Sequence, residues 1–125
     1  MRRGEIIRVE KYHFHNTGEI RDKYLIVLSD EDKYLDVVFV FTTSKVSEYS
    51  HVPNTEKVHI PIGAITCLTE ETIIIVDNIH RLERHVLDQY NSENFGMITE
   101  SIFEEIIYKI QNHARIKPYI KKMIK

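Results

Sequence analysis

The chain contains a single cysteine, Cys67, among its 125 residues. One thiol rules out an internal disulfide and any cysteine-based zinc site, and it fits a reducing cytosol. No apolar run approaches the roughly 20 residues needed to span a bilayer, so no membrane association is expected. Met1-Arg2-Arg3 is basic, but further charges follow within a few positions and no signal peptide is expected. There is no internal repeat and no low-complexity segment. Neither sign of charge dominates: 17 Lys and Arg stand against 19 Asp and Glu, for a formal net charge of −2. A nucleic-acid partner would therefore have to be held by a local patch. HExxH, P-loop, GxGxxG and nucleophile-elbow patterns are all missing, so no metal and no cofactor are expected.

What is present suits one compact domain spanning 1–125, with 42% apolar and 29% charged residues. The clearest signal is Lys23 to Lys45, KYLIVLSDEDKYLDVVFVFTTSK. It reads as two apolar strands, Tyr24 to Leu28 and Leu35 to Phe41, around an acidic turn at Ser29 to Lys33. An antiparallel pairing brings Lys23 and Thr42-Thr43-Ser44-Lys45 to one edge of the sheet. Gly4 to Val9 reads as a first strand and residues 10–22 as a long polar loop with a turn at Asn16-Thr17-Gly18. Residues 44–57 read as a second loop. Val58 to Ile62 reads as a short strand that should lie at an edge or end at Pro61, which has no N–H. Gly63 to Glu71 is a connection. Thr72 to Asp77 is a strand, Asn78 to Leu82 a further short one, Glu83 to Tyr90 a helical turn, and Asn91 to Met97 a linker.

The period changes near the C-terminus. Ile102, Phe103, Ile106, Ile107 and Ile110 line one helical face, with Thr99 or Ser101 as cap and Ser101–Glu104 matching a capping box. Pro118 marks the end of the regular pattern, and the basic tail 116–125 reads either as a phosphate-binding segment or as a solvated helix end whose cations complement the dipole. The expected fold is mainly β with a C-terminal helix (α+β): a small, strongly bent β-barrel over about 4–82, covered on one open side by a helix over about 99–115.

Seven histidines invite a metal site. His13 and His15 would share a strand face, but no third ligand is tied to them, and they read as surface residues. A more coherent constellation forms only in the fold: Lys23, Thr43 and Ser44 at strand ends, with Asp77 to Arg81 after the Ile73–Val76 strand. Lys, Thr, His and Arg can divide the tasks of RNA cleavage without a metal. One group takes the 2′-hydroxyl proton, others hold the phosphorane charge, and another protonates the leaving 5′-oxygen.

Four blocks of the chain, in order, resemble the MazF/PemK/Kid family of type II toxin–antitoxin toxins. GEIIRV (4–9) is similar to that family's "GDIVWV" strand, and RDKYLIVLSD (21–30) to "RRPALVLSND". VFVFTTSK (38–45) is similar to "VVVAPITSK", and TIIIVDNIHRL (72–82) to "VLVDQIRTID". The resemblance implies an SH3-like barrel, a homodimer, a cytoplasmic antitoxin partner system, and a metal-independent endoribonuclease that cuts single-stranded RNA and leaves a 2′,3′-cyclic phosphate.

Carried over by residue, Lys23 falls on the arginine of the family's Arg-Pro pair, and Tyr24 replaces the proline. Thr43 falls on the catalytic threonine with Ser44 beside it, Asp77 on an acidic or polar position, and His80 on a second arginine, next to Arg81. Lysine keeps the charge without the planar fork, and His80 can exchange protons near neutrality. Tyr12, Phe14, Glu19 and Arg21 lie where the family shapes its RNA groove. Their rings either stack on unpaired bases or pack the loop onto the barrel. The catalytic candidates are thus Lys23, Thr43 and His80. The alternative is a non-catalytic RNA- or protein-binding module of the same fold, including a toxin that inhibits gyrase.

Overall fold

The computed structural model describes residues 1–14, 17–30, 33–63 and 70–125. Cys67, His15, Asn16 and the middle of both the acidic turn and the 63–71 connection lie outside the described residues. Six strands are described: β1 (Glu5–His13), β2 (Ile20–Val27), β3 (Asp36–Thr43), β4 (Lys57–Ile60), β5 (Thr72–Glu83) and β6 (Ser92–Met97). They form one antiparallel sheet in the order β4-β5-β3-β2-β1-β6, curled into a half-barrel. Three short or medium α-helices accompany it: α1 (Arg84–Leu87), α2 (Glu100–Gln111) and α3 (Pro118–Met123). Among the described residues no helix is long and apolar enough to cross a membrane.

The β2–β3 hairpin forms as expected, with Leu25 opposite Phe41, Ile26 opposite Val40 and Val27 opposite Phe39. Side chains of a strand alternate between faces, and here both faces are buried. Ile26, Leu28, Val38 and Val40 enter one core with Ile74, Val76, Ile106 and Ile110. Leu25, Val27, Val37, Phe39 and Phe41 enter the other, closed by Leu87 of α1. Burial on both sides explains why these strands read as unbroken apolar runs rather than as alternation.

Residues 10–22, expected as a loop, are mostly strand. β1 runs on to His13 and β2 begins at Ile20. The register slips between Val9, opposite Lys23, and Tyr12, opposite Arg21, so β1 carries one residue more than β2 there. Lys11 takes a φ of 53° at this bulge. Val9 and Tyr12 therefore face the same core although they are three apart. A bulge breaks the two-residue period, which hid the strand from a pattern search. Bulging also joins the two strands expected at 72–82 into a single β5. Val40 pairs with Ile79 but Thr42 with Ile74, so β5 spends several extra residues between those points and bends there.

β4 lies at the sheet edge and ends at Ile60, short of the expected Ile62, because Pro61 has no N–H to extend the ladder. The linker expected at 91–97 is instead β6, the other edge, paired with β1. Its residues are mostly exposed, so backbone pairing rather than an apolar face holds it, and no periodicity announces it.

The face of α2 is as expected: Ile106 and Ile110 are buried, and Ile102, Phe103 and Ile107 pack beside them. Thr99 is the N-cap, which places Ser101 inside the helix and excludes the Ser101–Glu104 capping box. The basic tail is not a solvated end. Pro118 sits in the first turn of α3, where its missing N–H costs nothing, and so begins a helix rather than closing the pattern. Ile116, Ile120, Met123 and Ile124 are buried in the core beneath α2. The lysines occupy the remaining surface. Arg3 Nη1 donates to the Lys125 carbonyl at 2.7 Å, and Gln111 Nε2 donates to the Lys121 carbonyl at 2.8 Å.

Truncating a core isoleucine leaves a cavity, so Ile124→Ala should cost about 2–5 kcal/mol. Lys122→Ala, on the exposed side of the same helix, should stay within about 0.5 kcal/mol. Urea unfolding measures both, and equal midpoints would contradict the docked position of α3.

Candidate RNA-binding groove

Counting two residues outward from the Leu25–Phe41 pair gives Lys23 and Thr43, on the face that carries Phe39 and Phe41. Lys23 and Thr43 line two adjoining clefts, of about 310 Å³ and 140 Å³, together with Arg21, Thr42 and Lys45. Ser44 lines the larger cleft; Phe14, Phe41 and Tyr49 line the smaller. The result is a groove with polar and cationic walls and an aromatic end.

Lys23 Nζ donates to the Thr42 carbonyl at 2.9 Å and lies 5.8 Å from the centre of the Phe41 ring. Its pKa is pulled down from the usual lysine value to about 8, first by burial and then by the positive charges of Arg21 and Lys45, with Glu19 opposing. Arg21 is paired with Glu19 at 3.3 Å and lies over the Phe14 ring at 5.4 Å. Thr43 Oγ1 accepts the Lys45 backbone N–H at 3.2 Å, which holds the strand end where Lys45 turns into the groove. The β1 bulge assists: the Lys11 N–H donates to Asp22 at 2.9 Å and Arg8 pairs with the same carboxylate at 2.6 Å. Asp22 lines the larger cleft, but its carboxylate is engaged by Arg8 and the Lys11 N–H.

Tyr12 and Phe14 divide the two roles considered for them. Tyr12 is buried in the second core, in edge contact with Phe14 and Phe41 and tilted against Tyr90. Burial raises its hydroxyl pKa, and the nearby Tyr90 adds to the shift. Phe14 packs on Tyr12 but also reaches the groove.

His80 pairs across the sheet with Phe39 and is not a wall of either cleft. Its ring stacks on Phe39 at 5.5 Å and meets Phe41 edge-on at 4.8 Å. Its Nε2 is buried without a hydrogen-bond partner among the described residues, and burial lowers its pKa. Phe41 is a neighbour of both, 4.8 Å from the imidazole and 5.8 Å from Lys23 Nζ. Arg81 points elsewhere: its Nε donates to Asp36 at 2.5 Å and its guanidinium lies over Tyr119.

Asp77 belongs to a different cluster, with Glu56, His113 and Arg115. Ligand atoms of Glu56, Asp77 and His113 fall within 4.8 Å of one another. Arg115, however, pairs with both carboxylates, 3.2 Å from Asp77. His113 Nδ1 accepts the Arg115 N–H at 3.2 Å, leaving Nε2 to donate to Glu56 at 2.8 Å. The hydrogen bond from His113, with help from Arg115, lowers the Glu56 pKa. This donor set is an ion-pair clamp between the end of α2 and β5, with its metal-facing atoms already engaged.

Of the residues singled out from sequence, the fold thus gathers Lys23, Thr43, Ser44, Arg21 and Phe14 in one groove, with Glu19 beside Arg21. It places Tyr12, Asp77, His80 and Arg81 outside it. Sequence reasoning put Lys45 on the rim and Asn78 within the 77–81 run without giving either a role, and it missed Tyr49, which sits in the 44–57 loop and had no signal.

Compared by sequence, the chain matches no family profile and no curated protein. Compared by structure, it resembles MazE–MazF (Form-II) from Deinococcus radiodurans with a TM-score of 0.62, at 12% identity, over 94% of this chain and 97% of that one. It also resembles MazF (Form-I) from Deinococcus radiodurans, with a TM-score of 0.59, at 14% identity, over 89% and 93% of the two chains. The likeness is one of fold, and at that level the resemblance drawn from the sequence holds.

The lowered pKa of Lys23 makes stability depend on pH. Between about 8 and the usual 10.5 the unfolded chain holds the Lys23 proton and the folded chain does not. Folding is then favoured by raising the pH through that window. The native protein should gain stability relative to Lys23→Met as pH climbs from 8 to 10.5, read as a native thermal midpoint that rises relative to that of the variant; a constant difference would show an ordinary lysine.

Proposed function

We propose that the protein is a toxin-like endoribonuclease that binds single-stranded RNA in the Lys23–Thr43 groove and cleaves it without a metal ion. The observation that carries this reading is the convergence of Arg21, Lys23 and Lys45 with the Thr43 hydroxyl in one groove that ends on Phe14 and Phe41. Cations and hydroxyls suit a phosphodiester, and aromatic rings suit unpaired bases. Lys23 offsets the charge that builds on the phosphorane, and Thr43 positions the reacting group. The shared fold with MazF adds two further parts to the proposal, a homodimer and an antitoxin partner that covers the groove.

One observation favours a second reading, an RNA-binding module that does not cut. His80, the candidate acid or base, packs on Phe39 and Phe41 and is not among the residues that line the groove.

Purified protein should cut a defined single-stranded RNA in the presence of EDTA, and mapping of the ends should find a 2′,3′-cyclic phosphate. The Lys23→Ala, Thr43→Ala double variant should lose at least a hundredfold in rate, in line with the roughly 10²–10³ lost with a single stabilising donor. Undiminished cutting by the double variant would remove these residues from the site. Saturable, salt-sensitive binding of intact RNA would support the second reading.

A further inference from the structure

The groove holds three cations in unlike states. Arg21 is paired with Glu19. Lys23 is half-buried, and its hydrogen-bond acceptor is the uncharged Thr42 carbonyl. Lys45 is exposed and makes no ion pair among the described residues. Other titratable groups facing the groove are Glu48 and Tyr49 on one side and Glu70 and Asp22 on the other. Of these, Asp22 is held by Arg8. His80 packs on Phe39 and Phe41 and lines neither cleft, so Lys23 is the amine best placed to exchange a proton with a bound substrate.

Building on the ribonuclease reading above, we propose that Lys23 is the proton acceptor of the groove and that Lys45 is the positioning residue that keeps it so. A phosphodiester lying beside Lys23 alone would stabilise its ammonium form, which cannot accept a proton. A second cation on the same phosphate offsets that charge. Lys45 and Arg21 hold the non-bridging oxygens. Neutral Lys23 takes the proton of the 2′-hydroxyl as the 2′-oxygen bonds to phosphorus. The bond from phosphorus to the 5′-oxygen breaks, and that oxygen takes a proton from water. The hydroxide left behind takes the proton back from Lys23, which returns as the free amine. The lowered pKa of Lys23, to which Lys45 contributes, fits this role.

The test has two readouts. The first follows the Lys23 side chain by NMR in lysine-labelled protein without RNA, with the signal assigned through Lys23→Arg. Its midpoint should lie near 8 in the native protein, rise toward the usual lysine value in Lys45→Gln, and return in Lys45→Arg. The second is the pH profile of cutting of a defined single-stranded RNA in EDTA. The rate should climb through the Lys23 midpoint. Lys45→Gln should displace the profile to higher pH and raise KM several-fold, and Lys45→Arg should restore both. A Lys23 midpoint indifferent to Lys45→Gln, or a profile that does not move with it, overturns this inference while leaving the ribonuclease reading in place. No cutting at any pH overturns that reading and the proton-acceptor role with it, while the NMR titration still decides whether Lys45 tunes Lys23.

Discussion

Alternate residues of β2 and β3 enter opposite cores, Leu25, Val27, Phe39 and Phe41 on one side and Ile26, Val38 and Val40 on the other. A sheet buried on both faces cannot slip by one residue, because each side chain would exchange one packed environment for another of different shape. That constraint sets the rest of the molecule. α2 and α3 must cover the first face, and α1 with Tyr12 and Tyr90 must close the second. The ends of the locked strands then present Lys23 and Thr43 at a defined separation, on a frame that cannot shift without unpacking both cores.

The groove sits where the second core runs out. Phe41 belongs to that core and also lines the groove, so the same ring that stabilises the fold desolvates Lys23. Burial and two neighbouring cations make Lys23 a costly charge to keep near neutrality. Such a position favours function over stability: a lysine that holds its proton loosely is poorly suited to a structural role and well suited to meeting a phosphate or a proton. With Arg21 paired to Glu19 and Asp22 to Arg8, no carboxylate among the described residues pairs with Lys23 Nζ.

The second polar cluster behaves oppositely. Glu56, His113, Arg115 and Asp77 satisfy one another and join the segment after α2 to the 3-10 turn Asn54–Glu56 before β4 and to the bent part of β5. His113 is only 7% exposed, and its two ring nitrogens are both engaged. Groups so fully paired hold elements together and have little left to offer a ligand.

The sequence by itself determined the hairpin, the end of β4 before Pro61 and the apolar face of α2, because each depends on local period or on the missing N–H of Pro61. It also brought Lys23 to Thr43, since antiparallel pairing follows from two apolar runs and a turn. Tertiary structure alone decided what periodicity cannot encode. Bulges at Lys11 and within β5 break the two-residue repeat, and β6 is held by its backbone with little apolar signature. The tail becomes a core helix because α2 and the sheet leave an apolar surface for Ile120 and Ile124 to cover. The bend in β5 likewise decides which residues after Val76 reach the groove. It buries His80 against Phe39 and Phe41, turns Arg81 to Asp36 and gives Asp77 to Arg115. Side-chain direction beyond a bulge depends on the packed sheet, and residues adjacent in sequence can serve separate sites for that reason.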